Sequence, residues 1–259
     1  MQNRIKPKEN KRVDKHALHK NMTDKTESEK QVSFDKYIET YKTEIQDSIG
    51  FIGQDVDFFI ELKVDLLTKL AEKNLGSLSG IKALDIGSGV GLVDRFLKTS
   101  IKDLYGVDVE SGVVEKAKQN NPEVTYNIYD GLKLPFDDNT FDLTFAINVM
   151  HHVPPAHWNN FAREMNRVLK PGGIAAVFEH NPLNPLTRIA VARCEFDRDA
   201  VLLNHKTIRR LLSEAKLEVI KDAYIVFFPF KAKFFRSVEL TLGWLPFGAQ
   251  HFAAGRKKQ

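Results

Sequence analysis

A short apolar strand followed by three glycines at alternate positions constrains this chain more than any other feature. Residues 81–91 read Ile-Lys-Ala-Leu-Asp-Ile-Gly-Ser-Gly-Val-Gly, with Asp85 near the end of the strand and Gly87, Gly89 and Gly91 after it. Glycines let the backbone turn sharply out of the strand, approach a ligand closely and begin a helix, which we expect from Val90 to Lys98. The segment therefore predicts a nucleotide-like cofactor at a strand-to-helix turn.

The spacing of these glycines separates two classes of cofactor site. A dinucleotide fingerprint, Gly-x-Gly-x-x-Gly, needs its third glycine at position 92, where this chain has Leu92. The mismatch argues against an oxidoreductase with a nucleotide cofactor, which we keep as an alternative.

From Ile81 onward, short apolar runs alternate with helical segments, as in repeated βαβ units. The runs predict strands near 81–86, 103–108, 124–129, 141–147, 173–179, 217–228 and 248–256, and helices near 90–99, 111–120, 156–169 and 205–215. The last two strands have little room for a crossover helix, so we expect an antiparallel pair. The predicted fold class is α/β, with a doubly wound, Rossmann-like sheet of seven strands whose last strand is antiparallel.

Two helical segments precede the first strand. Residues 33–74 show a helical pattern interrupted at Gly50 and Gly53, and the longer helix, from about Asp55 to Lys73, has an apolar stripe. These helices either cover one edge of the sheet or also form a lid over a substrate pocket. We expect a disordered basic leader at 1–31 and one domain at 32–259. That domain divides into a helical cap (32–76), a cofactor core (77–180), and a substrate-side insertion with a final hairpin (181–259).

Charge and cysteine content exclude several functions. Residues 1–31 hold nine Lys and Arg against five Asp and Glu, whereas the rest of the chain has 29 of each sign. The leader also lacks interleaved aromatic residues, so we expect no nucleic-acid binding. Cys194 is the single cysteine, which rules out an internal disulfide or a Cys-based zinc site; we predict no metal centre and a cytoplasmic location. No apolar run reaches the roughly 20 residues of a membrane span.

Three acidic residues close the first three strands of the predicted sheet. Ligands of open α/β sheets bind beyond the carboxyl ends of the strands, which is where Asp85, Asp108 and Asp130 fall. A carboxylate at Asp108 can accept both hydroxyl protons of a ribose. Asp130 can accept from an adenine amino group while the amide of Gly131 reaches the ring. Each acid can instead serve as a loop or cap residue, and Asp108 lies just before a predicted helix.

Further elements follow in a recognisable order. Residues 141–153 read Phe-Asp-Leu-Thr-Phe-Ala-Ile-Asn-Val-Met-His-His-Val, and residues 168–173 read Val-Leu-Lys-Pro-Gly-Gly. With the acidic-x-Gly-x-Gly-x-Gly segment, this series resembles motif I, post-I, motif III and the Leu-Lys-Pro-Gly-Gly element of class I methyltransferases that depend on S-adenosylmethionine (SAM). The likeness is to the type 11 and type 25 methyltransferases with a UbiE- and UbiG-like core. It is close over 81–180 and looser from residue 33 onward.

The resemblance implies SAM as cofactor and a role for each matching residue. Gly87, Gly89 and Gly91 would line its methionine part, and Asp85 would orient its amino group directly or through water. Asp108 would hold the ribose hydroxyls. Val109 and Leu132 would pack on the adenine, with Asp130 and Gly131 at the adenine edge. Asn148 would lie under the methionine and sulfonium, with its backbone carbonyl available to the ammonium group.

The resemblance also implies methyl transfer, by in-line displacement, to a small-molecule or lipid-linked acceptor. We expect oxygen to be preferred, with carbon and nitrogen as alternatives. A hydroxyl acceptor is helped by a general base, and the candidates at strand ends are His151, His152, Glu179 and His180. Each of them can equally be a structural residue, so we assign no catalytic residue. A non-catalytic SAM-binding protein is the other alternative, and the oligomeric state is not predicted.

Two later segments bear on the acceptor. Arg188, Arg193 and Arg198 lie in the insertion at 179–204, where they bind a phosphate or carboxylate or form surface ion pairs with nearby acids. Residues 224–252 are rich in aromatics. They form either an apolar wall for a lipid-like acceptor, with contact to a membrane surface, or plain core around Phe227, Phe234, Val238 and Leu242. We favour core.

Overall fold

A seven-stranded sheet organises the computed structural model, which describes residues 46–50, 53, 55–228, 238 and 241–259. The strands are β1 (Lys82–Ile86), β2 (Asp103–Asp108), β3 (Thr125–Ile128), β4 (Phe141–Ile147), β5 (Leu169–His180), β6 (Leu217–Ile225) and β7 (Gln250–Lys257). The predicted leader at 1–31, the helical segment from Ser33 and Phe234 lie outside the described residues.

The strand order, β3-β2-β1-β4-β5-β7-β6, is that of a doubly wound sheet. Strands β1 to β5 pair in parallel, and β7 runs antiparallel to both β5 and β6. The predicted fold class is confirmed, including the reversed last strand, which lies between its two partners rather than at the sheet edge.

Helices pack on both faces of the sheet. They are α1 (Val56–Leu75), α2 (Asp94–Leu97), α3 (Ser111–Asn120), α4 (Trp158–Val168), α5 (Pro185–Arg193) and α6 (His205–Glu214). Helices α1 and α3 share one apolar cluster with the outward face of the sheet, and α4 and α6 share the other. Alternate residues of β1, Ala83 and Leu84, enter opposite clusters because side chains alternate along a strand. Both faces of the parallel strands are therefore buried.

Helix α1 explains the apolar stripe seen in the sequence. The side chain of Asp55 caps the helix by accepting from the backbone N–H of Phe58 at 2.7 Å, and the helix ends before Gly76, whose φ is +85°. Phe58 and Leu62 are buried in the same cluster as Phe178 of β5. The helix therefore covers a face of the sheet.

Several predicted boundaries were wrong. The helix expected from Val90 to Lys98 spans only α2, because Gly91 has a φ of +76° and the chain turns until Val93. Strand β5 begins at Leu169 rather than 173, with a register shift that the Pro-Gly-Gly sequence accommodates through a φ of +83° at Gly172. Strand β6 ends at Ile225 rather than 228 because Val226 adopts a left-handed conformation, with a φ of +64°.

Helix α5 lies within the insertion at 179–204 and was not predicted. Asn184 caps it by accepting from two backbone N–H groups, and Pro185 occupies its first turn. Within the ranges that the structure covers, no helix combines the length and apolar character needed to cross a bilayer.

Candidate functional site

The order of strands changes direction between β1 and β4, which opens a crevice at the carboxyl ends of the strands. The structure brings the predicted cofactor residues to this edge. Asp85 and the three glycines lie at the end of β1, Asp108 and Val109 at β2, Asp130, Gly131 and Leu132 after β3, and Asn148 after β4. The site therefore draws on four neighbouring strands.

The glycine loop is held by the neighbouring strand. The backbone N–H groups of Gly87 and Ser88 donate to the carbonyl of Val107 at 2.7 and 3.0 Å. All three glycines have positive φ, at +78°, +53° and +76° for Gly87, Gly89 and Gly91. A Cβ at Gly87 would lie 2.5 Å from Val149, whereas a Cβ at Gly89 would meet nothing within 4 Å. Gly87 thus serves packing, and Gly89 faces open space.

Asp108 links the second strand to this loop. Its Oδ2 accepts from the N–H of Gly89 at 2.9 Å, and its Oδ1 accepts from the N–H of Glu110 at 3.2 Å. Helix α3 begins at Ser111 with Glu110 as its N-cap and without a side-chain cap. Asp108 therefore positions the glycine loop instead of capping that helix, and its carboxylate lies beside the open space at Gly89.

A buried acidic pair lies below the loop. Asp85 is 2% exposed and Asp94 is fully buried. Burial and the neighbouring carboxyl of Asp94 raise the pKa of Asp85 well above its usual value, and burial raises the pKa of Asp94 to about 7. A cationic ligand group near Asp85 would relieve this unfavourable burial of negative charge.

An apolar slot follows β2 and β3. Oδ1 of Asp130 accepts from the N–H groups of Leu132 and Lys133, both at 2.8 Å, and these bonds lower the pKa of Asp130. Val109 is 52% exposed and Leu132 48% exposed, and a Cβ on Gly131 would lie 3.4 Å from Val109. Asp130 therefore shapes a turn that holds two exposed apolar side chains beside a glycine.

Asn148 has an unusual conformation for a non-glycine residue. Its φ is +58°, and its N–H donates to the carbonyl of Phe178 at 2.9 Å. Its Oδ1 is buried with no hydrogen-bond partner inside the described part of the chain. An unpaired buried acceptor costs about 1–3 kcal/mol, which a donor on a ligand would offset.

The four candidate bases form one network beyond β4 and β5. Nδ1 of His151 lies 2.6 Å from Oε2 of Glu179, whose Oε1 accepts from the N–H groups of Val149 and Met150 at 3.2 and 2.7 Å. The rings of His152 and His180 lie 4.1 and 5.1 Å from that of His151 between centroids. The structure thus brings these residues together, but around each other.

Their electrostatics leave three of them unsuited to accept a proton near neutral pH. Burial opposes charge on His151, yet the Glu179 and Asp197 carboxylates raise its pKa to about 10. Burial opposes charge on Glu179 too, but His151 lowers its pKa to about 2. Burial and the charge of His151 lower the pKa of His180 to about 3. No residue is therefore assigned as the base.

Sequence reasoning missed three contributors to these networks. Lys63 of α1 is buried, and burial lowers its pKa to about 8 despite the nearby Glu179 charge. Asp94 and Tyr126 support the glycine loop from below. Asp94 lies only three residues after Gly91, but nothing in its local sequence indicates burial.

The insertion borders an open cavity of about 420 Å³. Arg188, Arg193 and Arg198 all line it, as does Asp197. Arg198 forms an ion pair with Glu195. The surface-pair interpretation therefore holds for Arg198, and an anion site at these arginines stays a prediction.

The aromatic segment divides into buried and exposed parts. Phe252 is 4% exposed and stacks on Phe178, with ring centroids 5.1 Å apart. Phe227, Val238 and Leu242, which we expected in the core, are half-buried. Trp244 and Phe247 are 76% and 69% exposed. The core interpretation therefore suits the strand residues but not the tip of the connecting segment.

Residues 84–177 match the sequence profile of a family described as a methyltransferase domain. With the four-strand cofactor crevice and the similarity to curated methyltransferases, this match settles the class. The chain belongs to the class I SAM-dependent methyltransferase family. The predicted family is confirmed, and with it SAM as the family's cofactor.

Three relatives show the extent of the similarity. An uncharacterized methyltransferase of Synechocystis is 34% identical over 117 residues, or 45% of this chain and 55% of that protein. A 2-methyl-6-phytyl-1,4-hydroquinone methyltransferase of Synechocystis is 32% identical over 129 residues, or 48% and 40%. A 2-phytyl-1,4-naphtoquinone methyltransferase of Nostoc punctiforme is 33% identical over 135 residues, or 46% and 56%. The chain thus spans about half, or less, of the length of these relatives.

Solved structures agree in fold. A SAM-dependent methyltransferase of Thermotoga maritima, described as a possible histamine N-methyltransferase, aligns with a TM-score of 0.61 and 20% identity, covering 87% of this chain and 98% of that one. At this identity the likeness concerns the fold alone.

Proposed function

We propose that this protein transfers a methyl group from SAM to an apolar, lipid-linked acceptor, preferentially at oxygen. The observation that carries the proposal is the open space at Gly89, bordered by the Asp108 carboxylate. The domain boundaries 32–259 are part of the same proposal.

The described residues suit each part of the donor. Asp108 offers a carboxylate for ribose hydroxyls, and the slot between Val109 and Leu132 offers two apolar surfaces for a flat base. The unpaired Oδ1 of Asn148 and the acidic pair below the loop favour a cationic amino group. These features support a ligand that combines an adenosine with positive charge.

When bound, SAM supplies an activated methyl group on a sulfonium, which leaves as a neutral thioether. The chain's task is therefore to align the acceptor atom with the methyl group and to exclude water. The tight turn at 148–152, anchored by Glu179, gives the site a rigid wall on the acceptor side.

An exposed apolar rim supports a lipid-linked acceptor. The rim consists of Leu183, Leu186, Trp244 and Phe247, each more than half exposed. Its two segments adjoin, because Nδ2 of Asn184 donates to the carbonyl of Phe247 at 2.7 Å. Exposed apolar groups clustered in this way mark interaction surfaces. Two of the relatives are named for phytyl-bearing quinone acceptors, which agrees with this chemistry.

The test is methyl transfer from radiolabelled SAM to a quinol with a long isoprenoid tail and to its tail-less analogue. We expect turnover of the long-tailed quinol. Trp244→Ser together with Leu186→Ser should raise its KM at least about tenfold, as expected for lost burial of two large side chains. The same variant should leave the KM of the tail-less analogue unchanged.

Two results would contradict parts of the proposal. Equal KM changes for both acceptors would remove the role of the rim. SAM binding without transfer to any hydroxyl, carbon or nitrogen acceptor would favour the non-catalytic alternative.

A further inference from the structure

The side chains of His151, His152 and Asp197 converge on one point. Nε2 of His151 and Nε2 of His152 each lie 3.4 Å from Oδ1 of Asp197. One ligand atom from each of the three residues lies within 4.8 Å of the other two. Two imidazole nitrogens and a carboxylate oxygen thus face a common centre.

The distances fit a shared ion better than direct hydrogen bonds. Hydrogen bonds from N–H to oxygen are usually about 2.7–3.2 Å long, so both contacts are long for that interaction. Ligands of a tetrahedral zinc ion at about 2.0–2.1 Å are separated from each other by about 3.3–3.4 Å. The two distances of 3.4 Å match such an edge.

The surroundings orient His151 as metal sites require. Its Nδ1 is bound to Glu179 at 2.6 Å, which directs Nε2 toward Asp197. Metal-binding histidines commonly bind a carboxylate through the other ring nitrogen, which fixes the ring and raises its basicity. Glu179 is itself fixed by two backbone N–H groups. The ring is therefore positioned before any ion binds.

The site has a buried side and an open side. The side chains of His151 and Asp197 are 1% and 13% exposed, whereas that of His152 is 45% exposed. Asp197 also lines the cavity of about 420 Å³ at the insertion. An ion can therefore enter from solvent and keep a coordination position open.

We propose that His151, His152 and Asp197 form a binding site for a divalent transition-metal ion, with zinc as the reference ion. Two imidazoles and one carboxylate favour zinc or iron over magnesium and calcium, which prefer oxygen ligands. The site departs from the sequence-based expectation of no metal, and it stands whether or not the chain transfers methyl groups.

The ion would lie next to the cofactor crevice. Val149, in the same turn as both histidines, has its side chain where a Cβ of Gly87 would lie, at 2.5 Å. The turn after β4 therefore serves both places.

The test uses the full chain without a histidine tag, stripped of metal by a chelator and dialysed against Zn²⁺. Metal content is measured by mass spectrometry, and affinity by competition with a coloured chelator. We expect one zinc ion per chain, and binding at least about tenfold weaker in His152→Ala and Asp197→Asn. His157→Ala, a matched change at an exposed histidine nearby, should bind as the wild type does.

A second measurement does not depend on the variants' folding. X-ray absorption of the zinc-loaded wild type should fit two imidazole ligands at about 2.0 Å. Absence of stoichiometric zinc, or equal affinity in all variants, would overturn the proposal and leave His151 as a charge partner of Glu179 and Asp197. Titration of the same samples with SAM reports the cofactor site separately.

Discussion

The hydroxyl of Tyr126 donates a hydrogen bond of 2.7 Å to Oδ2 of Asp94. The same hydroxyl receives a hydrogen bond of 3.1 Å from Nδ2 of Asn121, which also donates to the carbonyl of Gly91 at 3.0 Å. This buried network joins β3 and the residue after α3 to the end of the glycine loop. The loop's shape therefore depends on side chains about 30 residues away in the sequence.

Replacing Tyr126 with phenylalanine should lower the free energy of unfolding by about 1–3 kcal/mol, because Asp94 and Asn121 lose a buried partner. Urea denaturation measures the change. Tyr105→Phe is the control, since the ring of Tyr105 packs edge-on against Phe136 and Phe141 and should keep that packing. Equal losses in the two variants would show that the Tyr126 hydroxyl contributes nothing specific.

The acidic pair predicts a pH dependence of stability. Because the pKa of Asp94 is raised from 3.8 to about 7 in the folded state, the folded protein holds this proton more tightly than the unfolded chain does. Its contribution is complete below about pH 4 and is lost as the pH rises through about 7. Asp94→Asn should remove this decline, so the variant should gain stability relative to wild type between those values. Parallel unfolding curves at all pH values would contradict the prediction.

Two alanine substitutions separate packing from ligand access. Gly91→Ala places a Cβ 2.3 Å from Nδ2 of Asn121, so it should destabilise the fold strongly. Gly89→Ala meets no atom within 4 Å and should cost only the left-handed strain, about 1–2 kcal/mol. Its methyl group nevertheless enters the space beside Asp108, so SAM binding should weaken by at least about tenfold. Thermal unfolding and calorimetry measure the two effects, and normal SAM binding by Gly89→Ala would contradict the proposed location.

The sequence was sufficient to predict the sheet and the edge at which the site lies. Glycine spacing and acidic residues at strand ends are local signals, and parallel strands bring such ends together. The truncated helix α2 could not be foreseen, because it depends on the left-handed conformation of Gly91 and on the packing of Asn121 and Tyr126.

The contacts of the histidines are harder to predict. His151 and Glu179 meet because β4 and β5 pair in register, but Asp197 reaches them through an insertion whose helix α5 was not recognised. Neither the separation of these residues nor their types indicates such a contact. Long-range side-chain geometry of this kind is set by the assembled fold.

The most direct test of the account is calorimetric titration of the full chain with SAM, S-adenosylhomocysteine and NAD. We expect about micromolar binding of both adenosyl ligands and none of NAD, with binding abolished in Asp108→Ala. Asp108→Asn keeps an acceptor for the Gly89 N–H but loses the charge, so it should retain the fold and bind more weakly than wild type. Failure of the folded wild type to bind either adenosyl ligand, or unchanged binding in Asp108→Ala, would contradict the account.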